Sequence, residues 1–103
     1  MASARRYQRI ALPKGMLVAW EAGDKRTVSR VATLGLGGLF IPTPAPPPVG
    51  EVVRLVFQLP GGEVRARALV RTSDIGKGMG VAFTWMNQES RAKLNQLLKR
   101  LLQ

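Results

Sequence analysis

Three arginines, Arg5, Arg6 and Arg9, lie close together near the start of the chain, before its first apolar segment. A guanidinium group presents planar, forked N–H donors that match phosphate oxygens and the O6/N7 edge of guanine. Nothing in a hydrophobic core would require arginines at these positions. The pattern Arg-x-x-x-Arg is weak alone, because a disordered basic tail can also contain it. With a second binding segment nearby, it indicates a site for an anionic ligand.

The segment from Thr33 to Phe40 is a candidate for that second part of the site. It contains Gly35, Gly37 and Gly38. Without a Cβ, a glycine lets a phosphate group approach the backbone N–H groups closely. The alternative is that these glycines only permit a tight turn between two strands. We favour binding, because the arginines would supply the strongest, charge-assisted contacts.

Together the two segments resemble the ligand signature of PilZ domains. In that family an Arg-x-x-x-Arg segment and an Asp/Asn-x-Ser-x-x-Gly segment hold the bacterial second messenger cyclic di-GMP. Arg5 and Arg9 match the first segment, and Gly38 matches the last position of the second. Thr33 stands where the family has Asp or Asn, and Gly35 stands where it has Ser. The resemblance implies that both arginines clasp the ligand as the arm that bears them becomes ordered.

The two departures from the family signature lower the expected affinity. A carboxylate accepts hydrogen bonds from guanine N–H groups, whereas the hydroxyl of Thr33 is a neutral acceptor with a shorter reach. Losing a charged hydrogen bond costs ~1.5–3 kcal/mol, and losing the serine hydroxyl at Gly35 costs roughly 0.5–1.5 kcal/mol. Without compensation, affinity falls by about two to three orders of magnitude. Arg6 is interpreted as an auxiliary charge.

The composition argues against an enzyme. The chain has 103 residues, enough for one domain with a modest core. It contains neither Cys nor His, which removes thiol nucleophiles, Ser–His catalysis and the usual zinc sites. Its six acidic residues are scattered singly, so they form no apparent carboxylate pair or hard-metal cage. We therefore expect no catalytic residues, no metal site and no cofactor.

The formal net charge of +10 favours an anionic partner. Charge alone does not distinguish a nucleotide from a nucleic acid, an acidic protein or a membrane surface. No apolar stretch approaches the length of a membrane span, and the basic start of the chain is not followed by a signal-peptide core. These features predict a cytoplasmic protein.

Six short strands are predicted from apolar, partly alternating runs separated by turn signals. Pro60-Gly61-Gly62 is a strong hairpin signal, because glycine accepts a positive φ. The segment from Pro42 to Pro48 contains five prolines and is predicted to be a loop or edge. The predicted strands cover residues 15–20, 26–32, 39–41, 51–59, 63–72 and 78–84.

A single helix is predicted at the end of the chain. Its leucines recur at i, i+3, i+4 and i+7, and Asn87 is a plausible N-cap. The resemblance to PilZ domains covers nearly the whole chain and implies an all-β fold, a six-stranded antiparallel barrel with one C-terminal helix. The predicted organisation is a flexible basic arm (residues 1–14), a barrel (15–85) and a helix (87–102). The leucines expected to cover the barrel opening are Leu94, Leu97, Leu98 and Leu101.

Three functions follow from these features. The leading hypothesis is a cyclic di-GMP receptor that signals to a protein partner by ordering its arginine arm against the barrel. The second is a PilZ-like adaptor that has lost the nucleotide and binds proteins of motility, adhesion or secretion machinery. The third is a nucleic-acid-binding barrel. It is less favoured because the sequence has few aromatic residues interleaved with Lys and Arg, which a base-stacking surface would need.

Overall fold

Strands account for most of the chain in the computed structural model, which describes residues 10–59 and 61–101. The predicted all-β fold with one C-terminal helix is confirmed. The elements are β1 (Ile10–Ala22), β2 (Lys25–Leu34), β3 (Gly38–Pro42), β4 (Val52–Leu59), β5 (Gly62–Asp74), β6 (Gly78–Met86) and α1 (Gln88–Leu101).

The six strands form a closed antiparallel barrel in the order β1-β2-β3-β6-β5-β4. Strand β1 pairs with β2 on one side and with β4 on the other, which closes the barrel. The β4–β5 hairpin turns between Leu59 and Gly62, and Gly62 has a φ of 130°. The prediction that glycine supplies a positive φ at this turn is therefore confirmed.

The core fills the barrel because apolar residues recur with period two along the strands. In β5, Val64, Ala66, Ala68 and Val70 are buried while Arg65, Arg67 and Arg71 are exposed, as the sequence alternation predicts. Apolar side chains from all six strands join them in a single cluster. The largest fully buried side chains include Trp20, Phe57, Leu34, Leu39, Ile41 and Leu55.

Strand β1 begins five residues earlier than the sequence indicated, at Ile10 instead of residue 15. Ile10 and Ala11 pair with the end of β2, so the predicted arm of residues 1–14 overlaps the barrel. The register then shifts between Ala11 and Met16, a segment that includes Pro13. Proline cannot donate to a strand ladder and is tolerated at such irregularities, so its presence wrongly suggested that the strand starts later.

Helix α1 packs on β5 and β4. The Ser90 N–H donates to Asn87 Oδ1 at 2.7 Å, which confirms Asn87 as the N-cap. Leu94 and Leu98 are buried, and Leu97 is half-buried against the core. The prediction that Leu101 also covers the barrel is wrong, because this residue lies in the last turn and keeps 36 % of its surface exposed.

Candidate ligand-binding site

The turn between β2 and β3 brings together the described half of the predicted site. Thr33 pairs with Phe40, and Leu34 pairs with Leu39. Both leucines are fully buried in the core. Because successive side chains on a strand point to opposite faces, Thr33 and Phe40 project to the outside of the barrel, where both are half-buried. The hydroxyl of Thr33 is thus placed on the outer surface beside the turn.

The turn glycines make hydrogen bonds and close backbone contacts that their sequence pattern did not predict. The Gly35 N–H donates to the Gly38 carbonyl oxygen at 2.9 Å, so the expectation that this N–H is open to a phosphate is wrong. Gly38 begins β3 and packs tightly on β6: a Cβ at this position would lie 2.0 Å from the Val81 carbonyl oxygen. The Phe83 N–H donates to the Gly37 carbonyl oxygen at 2.8 Å. These contacts fix the turn against β6.

Two backbone N–H groups of the same turn differ from that of Gly35 in having no hydrogen-bond partner in the described part of the chain. Within residues 10–59 and 61–101, no group accepts a hydrogen bond from the N–H of Leu36 or of Gly37. Both residues are half-buried. Backbone N–H groups that have no partner in a turn can bind an anion. The turn therefore offers donors at Leu36 and Gly37 and a hydroxyl at Thr33.

The start of β1 lies alongside this turn. Ile10 pairs with Leu34, and Ala11 pairs with Thr33. The chain segment that carries the predicted arginines leads into β1 at Ile10. Arg5, Arg6 and Arg9 themselves lie outside the described residues. The structure thus brings Thr33, Gly35 and Gly38 together at the β2–β3 turn, whereas the positions of the arginines remain a prediction.

Phe40 is a site candidate that the predicted ligand signature does not include. Its ring packs over β6, with Cζ 3.0 Å from where a Cβ would stand on Gly78. It lies directly across from Thr33 and forms an apolar surface next to the turn. The signal was present in the sequence, because the period-two alternation around the buried Leu39 and Ile41 places Phe40 on the opposite face.

The described part of the chain contains neither a cluster of metal-binding side chains nor a helix that could span a membrane. Residues 10–59 and 61–101 hold no group of three or more His, Cys, Asp or Glu side chains that could bind a metal ion. The helix of this part is not long and apolar enough to cross a membrane.

The PilZ domain family model matches residues 3–100, nearly the full length of the chain. The chain belongs to the PilZ domain family. The match includes both segments that carry the predicted ligand signature. No curated protein matches the sequence.

Solved structures share the PilZ fold at low sequence identity. The Bacillus subtilis inhibitor of motility MotI/DgrA is 18% identical with a TM-score of 0.80, covering 98% of this chain and 53% of that one. The Klebsiella pneumoniae MrkH–c-di-GMP complex is 13% identical with a TM-score of 0.77, covering 98% and 52%. The PilZ domain of Escherichia coli YcgR with c-di-GMP is 16% identical with a TM-score of 0.75, covering 97% and 92%. The chain thus spans about half the length of MotI/DgrA and MrkH.

Proposed function

We propose that this PilZ domain is a cyclic di-GMP receptor in which Arg5 and Arg9 clasp the ligand against the β2–β3 turn. Arg6 adds positive charge, and the turn contributes Thr33 and backbone donors. The observation that carries the proposal is the pairing of Ile10 with Leu34, which joins the arginine-bearing segment to the barrel beside the turn.

Chain geometry supports a common site for the two segments. Arg9 is bonded to Ile10, whose partner Leu34 is the last residue of β2. Arg5 is four residues before Arg9, and an extended chain covers ~3.3–3.6 Å per residue. The covalent link to β1 therefore allows both guanidinium groups to reach a ligand lying on the turn. Since β1 begins at Ile10, the arm proposed here is limited to the residues before it.

The altered turn supports a lower affinity than the full signature would give. Thr33 lacks the carboxylate that accepts from guanine, and the Gly35 N–H already has a partner. The N–H groups of Leu36 and Gly37 offset part of this loss by donating to the ligand's phosphates. The arginines provide the largest charge-assisted contacts.

Structures with the same fold support both cyclic di-GMP as the ligand and a protein partner as the target of the signal. The MrkH and YcgR structures contain c-di-GMP, and MotI/DgrA is named as an inhibitor of motility. By extension, ordering of the arm creates or hides a surface for a protein partner in motility, adhesion or secretion machinery. The domain acts by binding and has no catalytic role. It functions in the cytoplasm.

Isothermal titration calorimetry of the full chain with cyclic di-GMP tests the proposal. We expect a saturable exothermic signal, and no comparable signal with the mononucleotide GMP, which cannot engage both arginines through two guanines and two phosphates. No saturable heat at millimolar cyclic di-GMP, with a folded protein by circular dichroism, contradicts the receptor function.

A second candidate function is an adaptor that has lost the nucleotide. The engaged Gly35 N–H and the absence of a carboxylate at position 33 favour it. Such an adaptor would bind its protein partner equally well with and without cyclic di-GMP. Nucleic-acid binding would instead show a steep loss of affinity with rising salt and indifference to the cyclic dinucleotide.

A further inference from the structure

The outer face of β1, β2 and β4 carries an open groove of about 560 Å³, away from the β2–β3 turn. Its floor is a cross-strand row in which Val28 pairs with Ala19 and Ala19 pairs with Val56. Val28 is 62% exposed, and Leu17, two residues before Ala19 on the same face, is 57% exposed. Neighbouring strands thus expose large aliphatic side chains on one face, and contiguous exposed apolar patches are typical of interaction sites.

The next row of the barrel gives the groove a charged rim. Glu21 pairs with both Arg26 and Arg54 across the strands, and it forms ion pairs with both, the second at 3.6 Å. Arg65 also lines the groove and is ion-paired with Glu63. The side chains of Arg26, Arg54 and Arg65 remain 83%, 70% and 70% exposed. Each guanidinium has five N–H donors, so most of them remain available to a partner.

The same row continues to an exposed tryptophan. Arg54 pairs with Arg67, and Arg67 pairs with Trp85. The Arg67 guanidinium lies 5.8 Å from the centre of the Trp85 ring, and Trp85 is 52% exposed. Tryptophan and arginine are the residues that most often dominate the energy of protein interfaces. The row thus joins the groove to a second anchor point.

We propose that this groove binds an extended, acidic segment of a partner protein. Aliphatic side chains of that segment contact Val28, Ala19 and Val56, and its carboxylates pair with the arginine rim. Three arginines and one glutamate line the groove, which gives it the complementary charge. A second copy of this chain is disfavoured because each copy carries a net charge of +10. Single-stranded nucleic acid is disfavoured because the exposed side chains of the floor are aliphatic, and Trp20, which also lines the groove, is only 2% exposed and cannot stack on a base.

The groove is independent of the proposed nucleotide site. Val28 and Thr33 lie five residues apart on β2, which corresponds to about 16 Å along the strand. Among the described residues, none of those that line the groove belongs to the predicted ligand signature. The docking proposal therefore stands whether or not the domain binds cyclic di-GMP.

Fluorescence anisotropy with a labelled synthetic peptide of alternating Glu and Val residues tests the proposal. We expect saturable binding to the full chain, reduced about tenfold by Arg54→Ala, since one charged hydrogen bond is lost. Val28→Asp should also weaken binding, by placing a carboxylate among those of the peptide. Arg71→Ala is the matched control, because Arg71 is exposed on β5 but does not line the groove. Arg71→Ala should change the peptide affinity by less than about twofold. The melting temperature should stay roughly unchanged in all three variants, because the substituted side chains are exposed.

Three outcomes overturn the proposal. If a peptide with Gln in place of every Glu binds with the same affinity, the arginine rim does not recognise carboxylates. An equal loss of peptide affinity in Arg71→Ala and Arg54→Ala would mean that binding depends on the net charge of the protein and not on the groove. Tighter binding of a single-stranded oligonucleotide, weakened by Arg54→Ala, makes the groove a nucleic-acid surface. The Arg5→Ala/Arg9→Ala double variant should bind the peptide normally, which separates this test from that of the nucleotide site.

Discussion

Arg5 and Arg9 are the residues on which the proposed receptor depends most. Both precede β1 in the sequence, and guanidinium groups are rarely part of a hydrophobic core. Each Arg→Ala change should weaken cyclic di-GMP binding by at least ~1.5 kcal/mol, the usual value of a charged hydrogen bond. The melting temperature should stay nearly unchanged. Calorimetry and thermal melting of both variants check this, with Arg71→Ala as a control. Unaltered affinity would remove the arginines from the site.

Thr33 and Gly35 can be tested by restoring the family residues. Gly35 is not among the described glycines with a positive φ, so its backbone conformation is one that serine can adopt. Thr33→Asp combined with Gly35→Ser should tighten cyclic di-GMP binding by roughly a hundredfold, since both changes add acceptors for ligand donors. Calorimetry compares the double variant with wild type. Equal or weaker affinity, with an intact fold by circular dichroism, would mean that this turn does not hold the guanine.

At the scale of elements, the β3–β6 pairing depends on close approach at Gly38. A Cβ there would lie 2.0 Å from the Val81 carbonyl oxygen, which belongs to rigid backbone. Gly38→Ala should therefore destabilise the fold by ~1–3 kcal/mol, as overpacking does. Gly23→Ala, in an open turn where strain comes from the positive φ alone, is the comparison variant. Urea unfolding measures both, and a neutral Gly38→Ala would show that the strands can separate locally.

Leu94 and Leu98 are the buried leucines through which the helix stabilises the barrel, and Leu97 packs half-buried beside them. Leu94 and Leu98 are buried at 0% and 5% exposure, whereas Leu101 is 36% exposed. Leu94→Ala should cost ~2–5 kcal/mol, a large part of the ~5–15 kcal/mol typical of a domain. Leu101→Ala should cost far less, because it removes little buried area. Unfolding free energies of the two variants give the comparison. Equal losses would mean that the last turn is packed more tightly than the structure shows.

The sequence predicted these elements where periodicity and turn chemistry agree. In β5, buried Val64 and Val70 alternate with exposed arginines, and the Gly62 turn precedes them. The prediction of β1 was wrong at its start because Pro13 is a strand breaker by local rules, while pairing of Ile10 with Leu34 is a long-range contact. Local patterns do not encode such contacts.

The position of the turn in the candidate site was predicted from residue type, but its hydrogen bonding was not. The signature located the turn at Thr33, Gly35 and Gly38 correctly between two strands. It could not show that the Gly35 N–H is engaged by Gly38 or that Gly38 contacts β6, because both depend on strand packing. The outer groove has no sequence signature, since its rows join strands that are distant along the chain.

For the whole molecule, the closed barrel and the high net charge predict a monomer. The same charge predicts that added salt raises its stability. The described strands leave no free sheet edge for pairing with another copy, and a net charge of +10 repels one. The same charge destabilises the compact state, and the exposed ion pairs are worth only ~0–1 kcal/mol each. Raising salt from roughly 0.01 to 0.15 M shortens the Debye length from ~30 to ~8 Å. The melting temperature should therefore rise with salt and stay constant with protein concentration. Calorimetric melting at two salt and two protein concentrations checks both, and an increase with protein concentration would favour a helix-mediated oligomer over the intramolecular cap.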